Sequence, residues 1–324
     1  MTTRSAPAVT CVLDCRVALA EGLAWHEAEQ RLYWVDIPGP AIHRFDPVTG
    51  HDESCPLAGP VGCIAFRRRP DERGGLVAAL ASGFAFVDFA SRRVTAIGDP
   101  EADKPANRFN DGRAGPDGAF WAGTMAFDPN GGQPAGALWR LAPDLSWRRM
   151  RAPVRIANGL AWSNDGRTLY HADTGGDDAT VQAWDFDAAS GAMTGQRLFA
   201  HVPRLFADRR PAGAADPAAR DSAAAAAPAP DGACVDSQGG YWLAIAGGWA
   251  VARFRPDGAV DRVIDVPVQF PTMPGFGGHD MQTLFIASLG PGAGLHLAPD
   301  QPQAGSLFAC RPGFQGIAEH RFAG

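Results

Sequence analysis

The chain has 324 residues, 46% hydrophobic and 20% charged, enough apolar material for one large domain or two modest ones. A net charge of -6 and a pI near 5.7 exclude a broadly basic nucleic-acid surface; Arg67, Arg68 and Arg69 are an isolated trio, read as a solvated strand end. The opening MTTRSAPAVTCVLDCRV has no apolar run of signal-peptide length, and nowhere do 18 uncharged apolar residues follow one another, so a cytoplasmic location without a membrane partner is expected.

Gly (39) and Pro (27) interrupt the chain too often for long amphipathic helices, and paired short strands fit better. In chain order the pairs are RLYWVDIPGPAIHRFDPVTG, GGLVAALASGFAFVDFASRR, GAFWAGTMAF with GALWRLAPD, RTLYHADTGG with VQAWDFDAASG, GYWLAIAGGWAVARFRPDG, and QTLFIASLG with GSLFACRPG. Taking Tyr33, Leu76, Phe120, Leu169, Tyr241 and Leu284 as anchors, successive spacings are 43, 44, 49, 72 and 43. A period in the forties, with room for four short strands, is that of a propeller blade. The prediction is an all-β, six-bladed β-propeller of four-stranded antiparallel blades around a central channel, with residues 1–324 as one domain. A two-domain β-sandwich does not predict such even spacing.

The spacing of 72 has a visible cause in DRRPAGAADPAARDSAAAAAPAPDG, an Ala/Pro-rich insertion at about 208–230 that is expected to be weakly ordered. Cysteines 11, 15, 55, 63, 234 and 310 include no Cys-x-x-Cys pair, so they read as buried free thiols and not as a zinc knuckle or a disulfide framework.

Counting back from the anchors, Glu21 lies 12 before Tyr33, Asn110 10 before Phe120, Asn158 11 before Leu169 and Asp231 10 before Tyr241. That phase starts or precedes an inner strand, so the four side chains are expected to converge on the channel axis. Their contexts AEGLAW, RFNDGRA, IANGLAW and APDGACV each place a Gly close by. Two carboxylates and two amides meeting there would repel and dehydrate one another unless a cation sat between them. Oxygen donors favour Ca²⁺, Mg²⁺ or Mn²⁺, with zinc left open. Taken singly, Asn158-Gly159 and Asp231-Gly232 read first as turns, the commonest use of those dipeptides, and Glu21 could be a solvated loop residue. Their shared repeat phase argues for a common site.

NRFNDGRAGPDGAFWAGTM (residues 107–125), with IANGLAWSNDG, PDGACVDSQGGYW and PGFGGHDMQTLFIAS, resembles the regucalcin/gluconolactonase, or senescence-marker-protein, family of six-bladed propellers over nearly the whole chain. The resemblance implies hydrolysis of a sugar lactone to the aldonic acid, with the lactone as small-molecule partner. It implies one divalent cation on Glu21, Asn158 and Asp231, Ca²⁺ ahead of Mg²⁺, Mn²⁺, Zn²⁺ or Fe²⁺, and substrate contacts from Arg108, Asn110 and Asp128. The 107–111 stretch then reads as a substrate-recognition loop whose turn is fixed by Asp111 and Gly112. Leu23 stands where the family usually has Pro.

Three protein ligands leave coordination positions open, the condition for catalysis, and Asp231 is the expected general base for the attacking water. No Gly-x-Ser-x-Gly occurs, and HEAE at His26 lacks the second histidine of a zinc-protease helix. His171 and Asp173 in YHADTGG are expected on an inner strand as a hydrogen-bonded structural pair. Rival readings are a phosphotriesterase-like hydrolase on the same cation and a non-catalytic calcium-binding propeller; Arg108 and Asn110 favour the lactonase. A monomer or weak homo-oligomer is expected.

Overall fold

Short runs rich in β-branched, aromatic and Ala residues, closed by Gly or Asp-containing turns, form the strands of the computed structural model, which describes residues 7–128, 131–175, 179–207 and 227–324. Five blades are consecutive antiparallel meanders. The first contains β2 (Ala20–His26), β3 (Arg31–Asp36), β4 (Ala41–Phe45) and β5 (Asp52–Pro56). The second contains β6 (Val61–Asp71), β7 (Gly74–Leu80), β8 (Gly83–Asp88) and β9 (Arg93–Gly98), and the third β10 (Asn107–Ala114), β11 (Phe120–Ala126), β12 (Gly136–Leu141) and β13 (Trp147–Val154). The fourth contains β14 (Ala157–Trp162), β15 (Thr168–Asp173), β16 (Thr180–Asp187) and β17 (Ala192–His201), and the fifth β18 (Ala229–Val235), β19 (Tyr241–Ala246), β20 (Ala250–Phe254) and β21 (Val260–Asp265). A single turn of helix, α1 (Val202–Leu205), follows β17.

The sixth blade joins both ends of the sequence. Strands β22 (Pro271–Gly277), β23 (Thr283–Ser288) and β24 (Leu307–Cys310) are completed by β1 (Thr10–Leu13), which pairs Thr10 with Ala309 and Cys11 with Phe308. This ring closure hides the outer edge of β24 and ties the propeller shut, a role that sequence reasoning does not assign to the N-terminus. The six anchors all fall on the second strand of a blade, so the sequence period is the blade period.

Burial falls from the axis outward. Strands β14 and β22 are buried along their whole length, whereas β5, β9 and β13 at the rim are largely exposed. The core is divided into six clusters, one at each blade-to-blade interface; Tyr33, Ile64 and Phe66 meet between blades one and two, and Trp121, Trp162 and Phe186 between blades three and four. Each blade is thus a sheet whose two apolar faces are buried by its neighbours, which makes closure of the ring a stability requirement.

The hairpins joining third and fourth strands reuse one turn. Asp46 accepts the Gly50 amide on its carbonyl (2.8 Å), Asp187 accepts that of Gly191 (2.7 Å), and both glycines take φ near +70°. Arg92 occupies the same left-handed position after Asp88, with φ 58°.

Two expectations change. Arg67 is not solvated: it is 2% exposed, donates to Asp71, to the Gly74 carbonyl and to the Gly324 carbonyl, and stacks over Phe86, while Arg68 and Arg69 are exposed. The proposed insertion at 208–230 lies mostly outside the described residues, and its last two residues, Ala229 and Pro230, already belong to β18. All six cysteines are free thiols; Cys55, Cys63, Cys234 and Cys310 are buried, and Cys11 and Cys15 half-buried. Among the described residues no helix is long and apolar enough to cross a membrane.

Candidate active site

The inner strand of every blade breaks register near its start: between Glu21 and Ala24, Val61 and Cys63, Phe109 and Gly112, Asn158 and Ala161, Pro230 and Ala233, and Pro271 and Pro274. Such a bulge re-aims a side chain that regular pleating would turn into a sheet face. In blades one, three, four and five the break carries Glu21, Asn110, Asn158 and Asp231. Gly22 (φ 61°) and Gly159 (φ 62°) supply the left-handed backbone that two of these bulges need. In blade two the position is Gly62, where a Cβ would fall 2.5 Å from the Asn110 carbonyl oxygen; in blade six Thr272 donates to the Ala20 carbonyl at 2.6 Å.

The bulges correct two sequence readings. Residues 107–111 do not form a loop: they lie in β10, and Asp111 and Gly112 sit in its bulge instead of fixing a turn. Asn158-Gly159 and Asp231-Gly232 are likewise bulges inside β14 and β18, not hairpin turns.

Hydrogen-bond chemistry fixes the amides. Thr174 Oγ1 donates to the Pro230 carbonyl (2.7 Å), so it must accept from Asn158, whose contacting atom at 2.7 Å is therefore Nδ2. Asn158 Oδ1 then faces Asn110, which donates Nδ2 to it (3.0 Å) and to the Ala157 carbonyl (3.0 Å). Asn110 Oδ1 in turn accepts Arg108 Nη1 at 2.8 Å. The sequence Arg108 to Asn110 to Asn158 to Thr174 to Pro230 is one directed chain, and it leaves a second lone pair on Asn158 Oδ1.

The acids are arranged differently. Glu21 accepts the Gly22 amide at 3.1 Å, and its carboxyl lies beside that of Asp231. Burial, then the charge of Asp111, pushes Glu21 up to about 8; burial, then Glu21 and Asp111, holds Asp231 well above the carboxylate range. Asp111 is also raised by burial; one of its oxygens accepts the Leu160 amide (2.9 Å) and the other, fully buried, has no partner. Below them Arg113 donates to the Ala233 carbonyl (2.6 Å) and meets both Glu319 oxygens at 3.4 Å. Arg108 is lowered to about 10 by burial.

Neighbouring carboxyls with raised pKa values resist ionising together, whereas a cation between them lets both ionise. The donors offered are oxygens alone, two carboxyls and the Asn158 amide, and they fit a hard divalent ion. Among the described residues no three His, Cys, Asp or Glu side chains form a metal-binding group; the candidate set has two such residues and an amide.

Asp128 stands apart from this buried group, exposed just beyond β11. His171 and Asp173 are on the second strand of blade four, not an inner strand, and do not pair with each other. His171 Nδ1 meets Arg151 (2.9 Å), and Asp173 accepts the amides of Arg155 and Ile156. Sequence reasoning missed Thr174, Arg113 and Glu319. The first is adjacent to the YHAD motif, but its partner is 56 residues away; Arg113 and Glu319 are 206 apart.

The opposite end of the channel is closed by the C-terminal segment. It crosses from blade five, where Ser237 donates to the Gln315 carbonyl, to blade two, where Phe322 exchanges backbone bonds with Phe66 and Arg68. A cavity of about 510 Å³ opens beside Arg108, lined also by Asn107, Lys104, Leu80 and Phe127; Glu21, Asn110, Asn158 and Asp231 do not line it.

Comparison with known proteins places the chain by sequence and by fold. A 6-deoxy-6-sulfogluconolactonase of Pseudomonas putida is 35% identical over 320 residues, covering 97% of this chain and 98% of that protein. The solved structure of a calcium-binding protein, regucalcin from Agrobacterium tumefaciens, superposes with a TM-score of 0.81 at 25% identity, over 98% of this chain and 97% of that one. A Xanthomonas campestris gluconolactonase superposes with a TM-score of 0.69 at 26% identity, over 94% and 89%. Residues 19–290 match the SMP-30/Gluconolactonase/LRE-like region, and the chain belongs to that family.

Proposed function

We propose that the protein is a divalent-cation-dependent lactonase that opens a sugar lactone to its aldonic acid, in one propeller domain spanning residues 1–324. The observation that carries the reading is the Glu21–Asp231 carboxyl pair, desolvated and set against an amide whose oxygen is aimed by Thr174. Relatives named as lactonases support the reaction class, and a relative titled calcium-binding supports Ca²⁺ as the ion.

In this reading Glu21, Asn158 and Asp231 hold the cation. When bound, it supplies Lewis-acid polarisation of the lactone carbonyl. Arg108, Asn110 and Asp128 hold the substrate: the guanidinium donates to ring or carbonyl oxygens, Asn110 is held ready by its bond to Arg108, and Asp128 reaches a hydroxyl from the rim. Asp231 takes the proton from the attacking water, whose oxygen bonds to the carbonyl carbon. The ring C–O bond then breaks, and its electron pair leaves on the ring oxygen, which collects the proton as a hydroxyl. The closed far end keeps bulk water entering from one side only.

The test is a pH-stat assay of aldonolactones and a phosphotriester on metal-stripped protein, with single cations restored. Acid release from an aldonolactone, dependent on an added divalent ion, is the expected result. If no lactone opens above background with any cation, the reading fails.

A further inference from the structure

Six charged side chains from three inner strands, β2, β10 and β18, and the C-terminal segment lie around the channel axis. Glu21, Asp111, Asp231 and Glu319 are the carboxylates; Arg108 and Arg113 are the guanidiniums. They interact as a set: Glu21 feels Asp111, Arg108 and Arg113, Asp231 feels Glu21 and Asp111, and Asp111 feels Arg113 and Glu319. The other titratable groups packed here, Cys63, Cys234, Tyr241 and His320, are held neutral by burial. With all six charged, four negative and two positive charges leave a net charge of -2, the complement of one divalent ion.

Arg113 differs from Arg108 in its partners and in lying away from the large cavity. Its Nη2 is 2.6 Å from the Ala233 carbonyl and its Nη1 lies between the Glu319 oxygens, while its buried Nε has no partner. It lies beneath the acids, away from the mouth, and lines two small cavities of about 30 and 10 Å³ with Glu319 and His320. A substrate entering from the open side meets Arg108, and Arg113 keeps its charge where it is.

We propose that Arg113, clamped from below by Glu319 of the C-terminal segment, sets the valence of the ion held at the channel mouth, trimming four carboxylates to a net charge matched by a divalent and not by a trivalent cation. This rests on the metal-site reading above. Coulomb attraction scales with the product of the charges, so each unit removed from or added to the site shifts a trivalent ion's affinity more than a divalent one's, by roughly tenfold at protein-like dielectric. Arg113 is a positioning and charge-balancing residue here, without contact to the reacting atoms.

The experiment measures Ca²⁺ and Tb³⁺ affinity on metal-stripped full-length protein, by calorimetry and terbium luminescence. Arg113→Gln should raise the Tb³⁺ preference over Ca²⁺ by roughly tenfold, and Arg113→Lys should leave it at the wild-type value. Glu319→Gln, on a partly exposed tail residue, should lower the Tb³⁺ preference by a similar factor and remains informative if Arg113→Gln does not fold. The double variant restores a net -2 and should return to the wild-type ratio. Single variants that weaken both ions equally, with the double variant weakest, would show a packing role and overturn the proposal. Wild-type protein that binds neither ion would overturn the metal site itself, a distinct outcome.

Discussion

Blade five carries two acids five residues apart, Asp236 buried and Asp231 half-buried, that are treated in opposite ways. Asp236, just past β18, is surrounded by donors: Arg253 Nε at 2.6 Å and Nη2 at 3.2 Å, Trp242 Nε1 at 2.8 Å, and the amides of Gln238 and Gly240, both at 2.9 Å. Asp231, within β18, faces Glu21 and the field of Asp111. Asp236 locks the blade by satisfying every lone pair it offers. Asp231 loses part of its hydration and gains another acid, an arrangement that opposes folding and that the proposed cation would offset. What separates the two is the cationic partner, present at Asp236 and not among the groups acting on Asp231, and the proposed ligand role belongs to the acid without one.

The largest effects come from swapping each acid for its amide. Asp231→Asn should lower cation retention and lactone turnover by at least ~100-fold, while the metal-free protein melts no lower than wild type because a repulsion has been removed. Asp236→Asn should do the reverse. It strips the nearest countercharge from Arg253, whose remaining acid is Asp261 at 2.7 Å, and should destabilise by about 3 kcal/mol with little change in turnover per folded molecule. Thermal melts and metal analysis on the two variants break the comparison if their profiles coincide.

The pH response sharpens it further. Glu21 rises from an unfolded value of 4.5 to about 8 in the folded, metal-free protein, so between those values the folded state binds the extra proton. Stability then falls as pH rises through this window, by up to about 1.4 kcal/mol per pH unit for one proton. The metal-free melting temperature should therefore drop from pH 5 to pH 8. Saturating Ca²⁺ should flatten or invert the slope, because the ion binds the deprotonated carboxyls. A metal-free melt that rises across this range would contradict the raised Glu21 carboxyl.

The repeat was legible because turn chemistry and aromatic anchors recur at blade length, and Glu21, Asn110, Asn158 and Asp231 were legible as a set because they recur in phase. The offsets of 10 to 12 residues already carried the irregularity of the bulges, but Asn-Gly and Asp-Gly serve turns and left-handed bulge positions equally well. The 107–114 segment was misread as a loop because its polar residues resemble loop composition; they are tolerated in a strand because this strand borders the channel. Arg67 was misread because two exposed neighbours masked a partner at the C-terminus, Gly324. Thr174 was invisible, since its role is set by a carbonyl in another blade.

Thr174 offers the smallest and most specific change. Thr174→Val keeps the shape of the side chain but deletes both the donor to Pro230 and the acceptor for Asn158 Nδ2. The Asn158 amide then loses the contact that tells its oxygen from its nitrogen, and a rotated amide would turn hydrogens toward the cation position. Ca²⁺ affinity should fall about 10-fold, within the usual range for a residue that orients a ligand without touching the metal, and Thr174→Ser, which retains the hydroxyl, should restore most of it. An unchanged affinity in Thr174→Val would mean that the bond from Asn110 Nδ2 alone suffices to orient Asn158, moving control of the amide chain to its Arg108 end.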